Sequence, residues 1–306
     1  MNILKIGIIG NGQVGSFIYD SFLKDGCFNN VNMYCRKNGY DITKLTSLKE
    51  IVKNNDIIIN CAAYTNVDQA EIEKEQCKKV NYDAVKKLVN IIKNTNKKLI
   101  HFSSDYVYGN NGILNRELIE SDICKPCNYY GKTKLLADKY IIKNLKSNYL
   151  ILRPSWVFGP NGNNFIDKII SKLKETNELK IVDDQYGVIT STYLIYKVVK
   201  LYVNKSLNDG LYNISCDKCP DFEKPSRFNI CSKIIDFLKL KRTKLEPCKS
   251  NEFKTLAKRQ TNSLLNCEKL DKEIQKHSHI TRTSWDIELS NYIYMYIINT
   301  EEIKNV

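Results

Sequence analysis

Tyr130 and Lys134 place a phenol and an ammonium four residues apart in Tyr130-Gly131-Lys132-Thr133-Lys134, a stretch whose apolar continuation (Leu135, Leu136, Tyr140, Ile141) reads as the start of a helix. Side chains at that spacing share a helix face, with Cβ atoms about 5–6 Å apart. A phenol ordinarily loses its proton near pH ~10, and a fixed cation beside it is expected to pull that value toward neutrality. Such a phenol can give a proton to a carbonyl oxygen during reduction. Alone, the pair is equally two surface side chains of a Tyr- and Lys-rich chain, so its weight depends on what lies upstream.

Upstream, the apolar run Ile6-Gly7-Ile8-Ile9 is followed by Gly10-Asn11-Gly12-Gln13-Val14-Gly15, then by a helical pattern (Val14, Phe17, Ile18, Phe22, Leu23) that stops at Asp25-Gly26. Strand, glycine turn and helix are the context in which G-x-G-x-x-G binds a dinucleotide. The first glycine makes the turn, the second admits a pyrophosphate, and the third packs helix on strand. The helix N-terminus offers free N–H groups to the phosphates. The next strand ends Cys35-Arg36-Lys37, where an NAD site would carry an acidic residue for the ribose 2′-hydroxyl. Two cations suit a 2′-phosphate, so NADPH is the expected cofactor and NADH the alternative.

The elements that must position these groups alternate. Strands are predicted at Leu4–Ile9, Val31–Cys35, Asp56–Asn60, Lys98–Ser103 and Tyr149–Leu152, and helices at Gln13–Lys24, Ser47–Lys53, Ala70–Asn94 with a break near Asn81, and Tyr130–Asn144. Nearly continuous apolar strands alternating with helices indicate a Rossmann-type, doubly wound parallel sheet covered on both faces. Beyond Arg153 the pattern loosens, with helices predicted at Phe165–Lys174, Tyr193–Asn204, Phe228–Leu240 and Trp285–Ile298 and short strands at Leu179–Val182 and Gly210–Ile214. The expected division is a cofactor domain over 1–158 with a segment near 188–206 returning to it. A smaller substrate lobe over 159–187 and 207–285 and a C-terminal helix and tail over 286–306 complete it.

Composition narrows the class. The chain has 306 residues, 42% of them hydrophobic, enough for a large core. No apolar run approaches the ~18 residues of a membrane span, and a signal peptide's charged, apolar and small-residue regions are not recognisable. Eleven scattered cysteines suit free thiols in a reducing compartment, so a cytoplasmic enzyme is expected, without a membrane partner. The C-x-x-C pairs Cys124/Cys127 and Cys216/Cys219 are too far apart for paired zinc knuckles. His101, His277 and His279 form no ligand pattern, with the last two read as solvated, so no metal is expected. The formal charge of +13 is spread along the chain, densest from Lys239 to Arg259, and no nucleic-acid-binding motif accompanies it. Solvated helix faces plus attraction for anionic nucleotide substrates account for it instead.

With these pieces in place the chain resembles the extended short-chain dehydrogenase/reductase superfamily, and within it the dTDP-4-dehydrorhamnose reductase family. The resemblance runs to about Leu270. It is carried in order by Gly10–Gly15, by Ala62-Ala63-Tyr64-Thr65-Asn66-Val67-Asp68-Gln69-Ala70-Glu71, by Phe102-Ser103-Ser104-Asp105-Tyr106-Val107-Tyr108 and by Tyr130–Lys134. Then come Leu152-Arg153-Pro154-Ser155-Trp156-Val157-Phe158-Gly159, Asn163-Asn164-Phe165 and Asp184-Gln185-Tyr186-Gly187. It implies that Ser104 hydrogen-bonds the substrate carbonyl, that Tyr130 donates the proton, and that Lys134 binds the nicotinamide ribose and tunes Tyr130. It implies adenine contacts at Asp41 and Ile42 and a cofactor loop at Ala62, Ala63, Tyr64 and Thr65. Val67, Tyr106, Trp156 and Asn164 match substrate positions. The implied reaction is NADPH-dependent reduction of the 4-keto group of a nucleotide-linked 4-keto-6-deoxy sugar, dTDP- or UDP-4-dehydro-L-rhamnose going to the L-rhamnose nucleotide.

The family pattern R-P-x-x-S-x-L-D stands here as Arg259-Gln260-Thr261-Asn262-Ser263-Leu264-Leu265-Asn266, without its proline and aspartate. Some members bind magnesium at a dimer interface through a glutamate that is Phe17 here, so a monomer or weak homodimer is expected. Two rival readings remain. One is a bifunctional 3,5-epimerase/4-reductase for UDP-rhamnose or an acetamido analogue. Such enzymes carry a cysteine two residues after the catalytic Ser or Thr, where this chain has Tyr106. The other is a non-catalytic NADP-binding regulatory subunit like that of methionine adenosyltransferase, against which the intact Ser104, Tyr130, Lys134 set and Trp156 argue.

Overall fold

The computed structural model describes residues 4–110, 112–277 and 281–298. His279 and the side chain of His277 lie outside the described residues, as does the tail beyond Ile298. Six parallel strands form the central sheet: β1 (Ile6–Ile9), β2 (Val31–Tyr34), β3 (Ile57–Asn60), β4 (Lys98–Phe102), β5 (Tyr149–Pro154) and β6 (Gly210–Ile214). Their order across the sheet is β6-β5-β4-β3-β1-β2. The five strands predicted in the first half are all present, each within two residues of its expected ends. They are legible because a parallel sheet buries both faces, leaving apolar runs rather than alternation. Ile6, Ile8, Ile57 and Ile59 pack to one side against Ile18 and Phe22 of helix α1 (Gln13–Asp25). Ile9, Ile58 and Leu99 pack to the other side, against α2 (Leu45–Asn54), α3 (Ala84–Ile92) and α4 (Tyr129–Asn144).

The second half supplies β6, expected in the smaller lobe but paired with β5 from Gly210↔Leu150 to Ile214↔Pro154. The reason is α6 (Thr192–Val203), whose buried face (Ile195, Val199, Tyr202) packs on the sheet beside α1 and delivers the chain to its edge. The rest of the lobe is held by short parallel pairs: Glu178–Val182 with Lys244–Cys248, and Tyr186–Gly187 with Asn262–Ser263. Helices α5 (Phe165–Glu175) and α7 (Arg227–Phe237) pack together beside them. All eleven thiols are free.

Two local features aim this frame at its upper edge. The break expected near Asn81 is a π-turn over Lys79–Asp83. Such turns recur at functional sites. Here it points Asn81 at the 62–65 loop, accepting from Tyr64 N (2.8 Å) and donating to Tyr64 O (3.1 Å) and Thr133 Oγ1 (3.1 Å). Helix α4 starts at Asn128, whose side chain caps Gly131 N at 2.8 Å. One face of α4 then carries Tyr130, Lys134 and Asp138 at successive turns, all buried. Asp138 Oδ2 accepts from Arg153 Nε (3.0 Å) and Ser103 Oγ (2.8 Å).

Removing one partner of a buried ion pair strands the other charge, at a cost of about 3–5 kcal/mol. Arg153→Met is therefore expected to lower unfolding stability by about that amount, read from urea midpoints. Adding Asp138→Asn should recover part of the loss. A single-variant loss under ~1 kcal/mol would show that the pair does not hold the region.

Candidate active site

The strand order reverses direction at β1, and in such sheets ligands bind in the crevice beyond the carboxyl ends of the strands at the reversal. A cleft of about 900 Å3 lies there. Gly10 closes its floor in the left-handed region (φ +96°), and an added Cβ would sit 2.8 Å from Ala62 N. A Cβ on Gly15 would overlap the Gly10 carbonyl oxygen, so the third glycine serves packing rather than contact. Gly12 faces open space, as the approach of a pyrophosphate requires. Gly10, Asn11, Gly12, Gln13 and Val14 line the cleft together with Ala62, Ala63 and Thr65. Gly15 and Tyr64 do not line it, since Tyr64 directs its hydroxyl to Glu73 (3.0 Å) while Asn81 grips its backbone.

At the far end, Arg36 and Lys37 are exposed at the cleft wall on the turn after β2, as a 2′-phosphate site needs. Tyr40, Asp41 and Ile42 complete this end. Asp41 accepts from Thr43 N at 2.8 Å. The glycine floor, the helix N-terminus and the paired cations thus fit a phosphorylated dinucleotide.

Ser104, Tyr130 and Lys134 converge on the middle of the same cleft. Ser104 follows β4, donates from Oγ to Asp105 Oδ1 (2.9 Å) and accepts from Tyr106 N (3.2 Å). The Tyr130 ring meets Tyr106 edge-on, centroids 5.9 Å apart. Lys134 is only 2% exposed. Burial pushes its pKa down to about 8, with Asp138 opposing. The expected tuning of Tyr130 toward neutrality is not what the structure gives. Burial, with the nearby Asp105, raises the phenol above its ordinary value, and the hydrogen bond with Ser104 only partly offsets this. In so dry a site the lost solvation of the phenolate outweighs the ammonium. Tyr130 is therefore held protonated, with the Lys134 cation one helical turn away.

Val67, Tyr106, Trp156 and Asn164 also line the cleft. Trp156 sits at φ +42°, a backbone region bulky residues avoid. It is fixed there by Ser155 Oγ donating to Val188 O and Thr190 Oγ1 donating to Ser155 O, both 2.5 Å. Asn164 spends its amide on capping α5, accepting from Ile166 N (2.9 Å) and donating to Asp167 Oδ2 (2.7 Å). Sequence reasoning missed Arg227. Its guanidinium lies 4.1 Å from the Trp156 ring centroid and 4.8 Å from that of Phe165, with Nε donating to Gln185 Oε1 at 3.0 Å. Among the described residues no carboxylate forms an ion pair with it. It also missed the roles of Asp105 and Gln260, because their partners are distant in sequence. Asp68, by contrast, grips Arg259 in a two-pronged ion pair (2.6 and 3.2 Å) that ties the cofactor loop to the lobe.

The family described as "RmlD substrate binding domain" matches residues 1–297. The chain belongs to this family. It is 30% identical to the dTDP-4-dehydrorhamnose reductase of Escherichia coli (strain K12) over 94% of this chain and 95% of that one. A dTDP-4-dehydrorhamnose reductase structure from Clostridium acetobutylicum superposes with a TM-score of 0.83 at 30% identity, covering 95% of this chain and 99% of that one. The Bacillus anthracis enzyme in complex with NADP gives 0.83 at 26% identity, with 95% and 99% covered. The fold is thus that of the extended short-chain dehydrogenase/reductase superfamily. Among the described residues no helix is long and apolar enough to cross a membrane.

Two outcomes follow from the state of the central pair. Tyr130→Phe should cost ~10²–10⁴-fold in kcat with NADPH affinity nearly intact. A loss below tenfold would mean that another group supplies the proton. Lys134 is cationic below about pH 8 and neutral above it, so kcat/KM should fall as pH rises through that value. Lys134→Arg should abolish this limb, and a limb unchanged in that variant would assign it to another group.

Proposed function

We propose that this protein is an NADPH-dependent reductase of the 4-keto group of a nucleotide-linked 4-keto-6-deoxy sugar, taking a dTDP- or UDP-4-dehydro-L-rhamnose to the L-rhamnose nucleotide. The observation that carries the reading is that Ser104, Tyr130 and Lys134 open into one cleft with the glycine loop. Bound NADPH supplies the hydride. Ser104 meets the sugar carbonyl oxygen, Tyr130 gives that oxygen its proton, and the Lys134 cation stabilises the developing phenolate. Asn11, Gly12, Gln13 and Val14 hold the cofactor's phosphates, with Ala62, Ala63 and Thr65 along its length. Asp41 and Ile42 border the adenine, and Arg36 and Lys37 take the 2′-phosphate. Arg227, stacked on Trp156 and without an ion pair among the described residues, supplies a cation for the substrate's diphosphate, and Val67 and Tyr106 border the sugar.

Reduction alone is favoured over the bifunctional reading by Tyr106. Burial raises its pKa, with Arg227 and Arg259 opposing, and a phenol kept neutral is a poor base for a carbon-bound proton. A regulatory role would not need the complete acid, cation and hydroxyl set.

The deciding experiment follows NADPH consumption with a panel of dTDP- and UDP-4-keto-6-deoxy sugars, each with and without a separate 3,5-epimerase. Given a 4-keto-6-deoxy-D-glucose nucleotide alone, the protein should consume little NADPH and form no L-rhamnose nucleotide, and added epimerase should restore both. Rapid exchange of carbons 3 and 5 with deuterated water, catalysed by the purified protein, would replace this reading with the bifunctional one. Arg36→Ala should weaken NADPH and barely change NADH, whereas equal losses would remove the 2′-phosphate assignment.

A further inference from the structure

We infer that Gln260 is a positioning residue for the reduction: from the C-terminal segment it fixes the Asp105 carboxylate, which in turn sets the direction of the Ser104 hydroxyl proton. The inference rests on the reading of Ser104 and Tyr130 just given.

Gln260 is 3% exposed and stands where the resemblance led one to expect proline, a residue with no side-chain donor. Both ends of its amide are committed. Oε1 accepts from Gly109 N at 3.0 Å, and Nε2 donates to Ser263 Oγ at 2.7 Å and to Asp105 Oδ2 at 3.0 Å. Asp105 is 2% exposed and, among the described residues, forms no ion pair. Its second oxygen, Oδ1, accepts the proton of Ser104 Oγ. A buried carboxylate without a cation must have its lone pairs satisfied by donors. Gln260 donates to one oxygen and holds the Ser263 hydroxyl that also bonds the carboxylate, and together they fix the direction of the other oxygen.

That geometry matters because Ser104 has one proton. It points at Asp105 now, and a substrate carbonyl needs it during reduction. With Asp105 anchored from behind, the hydroxyl can turn toward substrate without leaving the carboxylate free to follow or to take up a proton. Arg227 faces Asp105 as the nearby cation, and Tyr106, Tyr130 and Cys127 are the other titratable groups around it. Burial already raises the Asp105 pKa, against the hydrogen bonds from Ser263 and Ser104 and the charge of Arg227. Loss of a donor would raise it further.

The sharpest test is Gln260→Glu, which keeps size and shape but exchanges donor for acceptor. Two carboxyl groups in contact cannot both ionise readily, so one pKa of the pair rises. At acid pH the introduced carboxyl is protonated and can donate to Asp105. As pH rises through the raised pKa that donor is lost. The variant's kcat should therefore be near wild type at acid pH and fall tenfold or more toward neutrality, below the pH of about 8 at which the wild type loses the Lys134 charge. The substrate KM should stay within about threefold and NADPH affinity should not move, while the melting temperature should match wild type at acid pH and fall below it as pH rises, because the pair's folded-state pKa is raised. Gln260→Met, which cannot donate, should be slow at every pH. Both variants within twofold of wild-type kcat across the range would overturn the inference. So would a pH-independent loss in Gln260→Glu that runs parallel to NADPH affinity and melting temperature, since that marks a structural role. If the wild type itself reduces no sugar of the panel, the functional reading has failed, and this inference with it. Turnover by wild type with indifferent variants removes the inference alone.

Discussion

The interior of this protein has to keep an ammonium group charged where there is almost no water, and much of the site is arranged around that demand. Lys134 lies 2% exposed at the heart of the cofactor domain. Burial works against its charge, and the carboxylate one turn along α4, Asp138, works for it. Asp138 is itself buried and is held by Arg153 and Ser103. Ser103 sits beside Ser104, so the ends of β4 and β5 and the face of α4 are locked together by charge as well as by apolar packing. Tyr130, one turn before Lys134, inherits that position. Its phenol stays protonated because the same dryness that strains the lysine disfavours phenolate.

Around this fixed centre the rest of the cleft is assembled from pieces far apart in the chain. The 62–68 loop is clamped from below by Asn81 and from the lobe by Arg259 through Asp68. Trp156 is held in an unfavourable backbone conformation so that its ring can receive the Arg227 guanidinium. Strain of this kind persists only where surrounding bonds over-determine it, and here the Ser155 and Thr190 hydroxyls do so. The lobe thus contributes the Arg227 and Arg259 cations and the Phe165 ring, while α4 contributes Tyr130 and Lys134 and the loop after β3 lines the cleft.

The cofactor half of this arrangement could be read from the chain because its determinants are local. A glycine loop between strand and helix, two cations on the turn after β2, and Tyr130 and Lys134 one turn apart all declare themselves within a few residues. The π-turn was visible as a fault in the helical pattern at Asn81. The lobe was harder. The strand Gly210–Ile214 was recognisable, but its place at the sheet edge depends on how α6 packs, which periodicity does not report. Gln260 looked like a mere departure from a pattern, since its partner Asp105 is 155 residues away. Arg227 was one cation in a basic chain until Trp156 and Phe165 closed around it. The tuning of Tyr130 was misjudged because a charge pair can be seen in sequence and its desolvation cannot.

The central claim is that this cleft reduces a sugar carbonyl at carbon 4 with Tyr130 as the proton source. The most direct measurement gives the protein NADPH deuterated at the transferring position together with the epimerised 4-keto nucleotide sugar, and locates the label in the product by mass spectrometry and NMR. The account predicts one deuterium at carbon 4 of the sugar with the wild type and almost none in the same time with Tyr130→Phe. Label at another carbon, or undiminished labelling without the phenol, would contradict it.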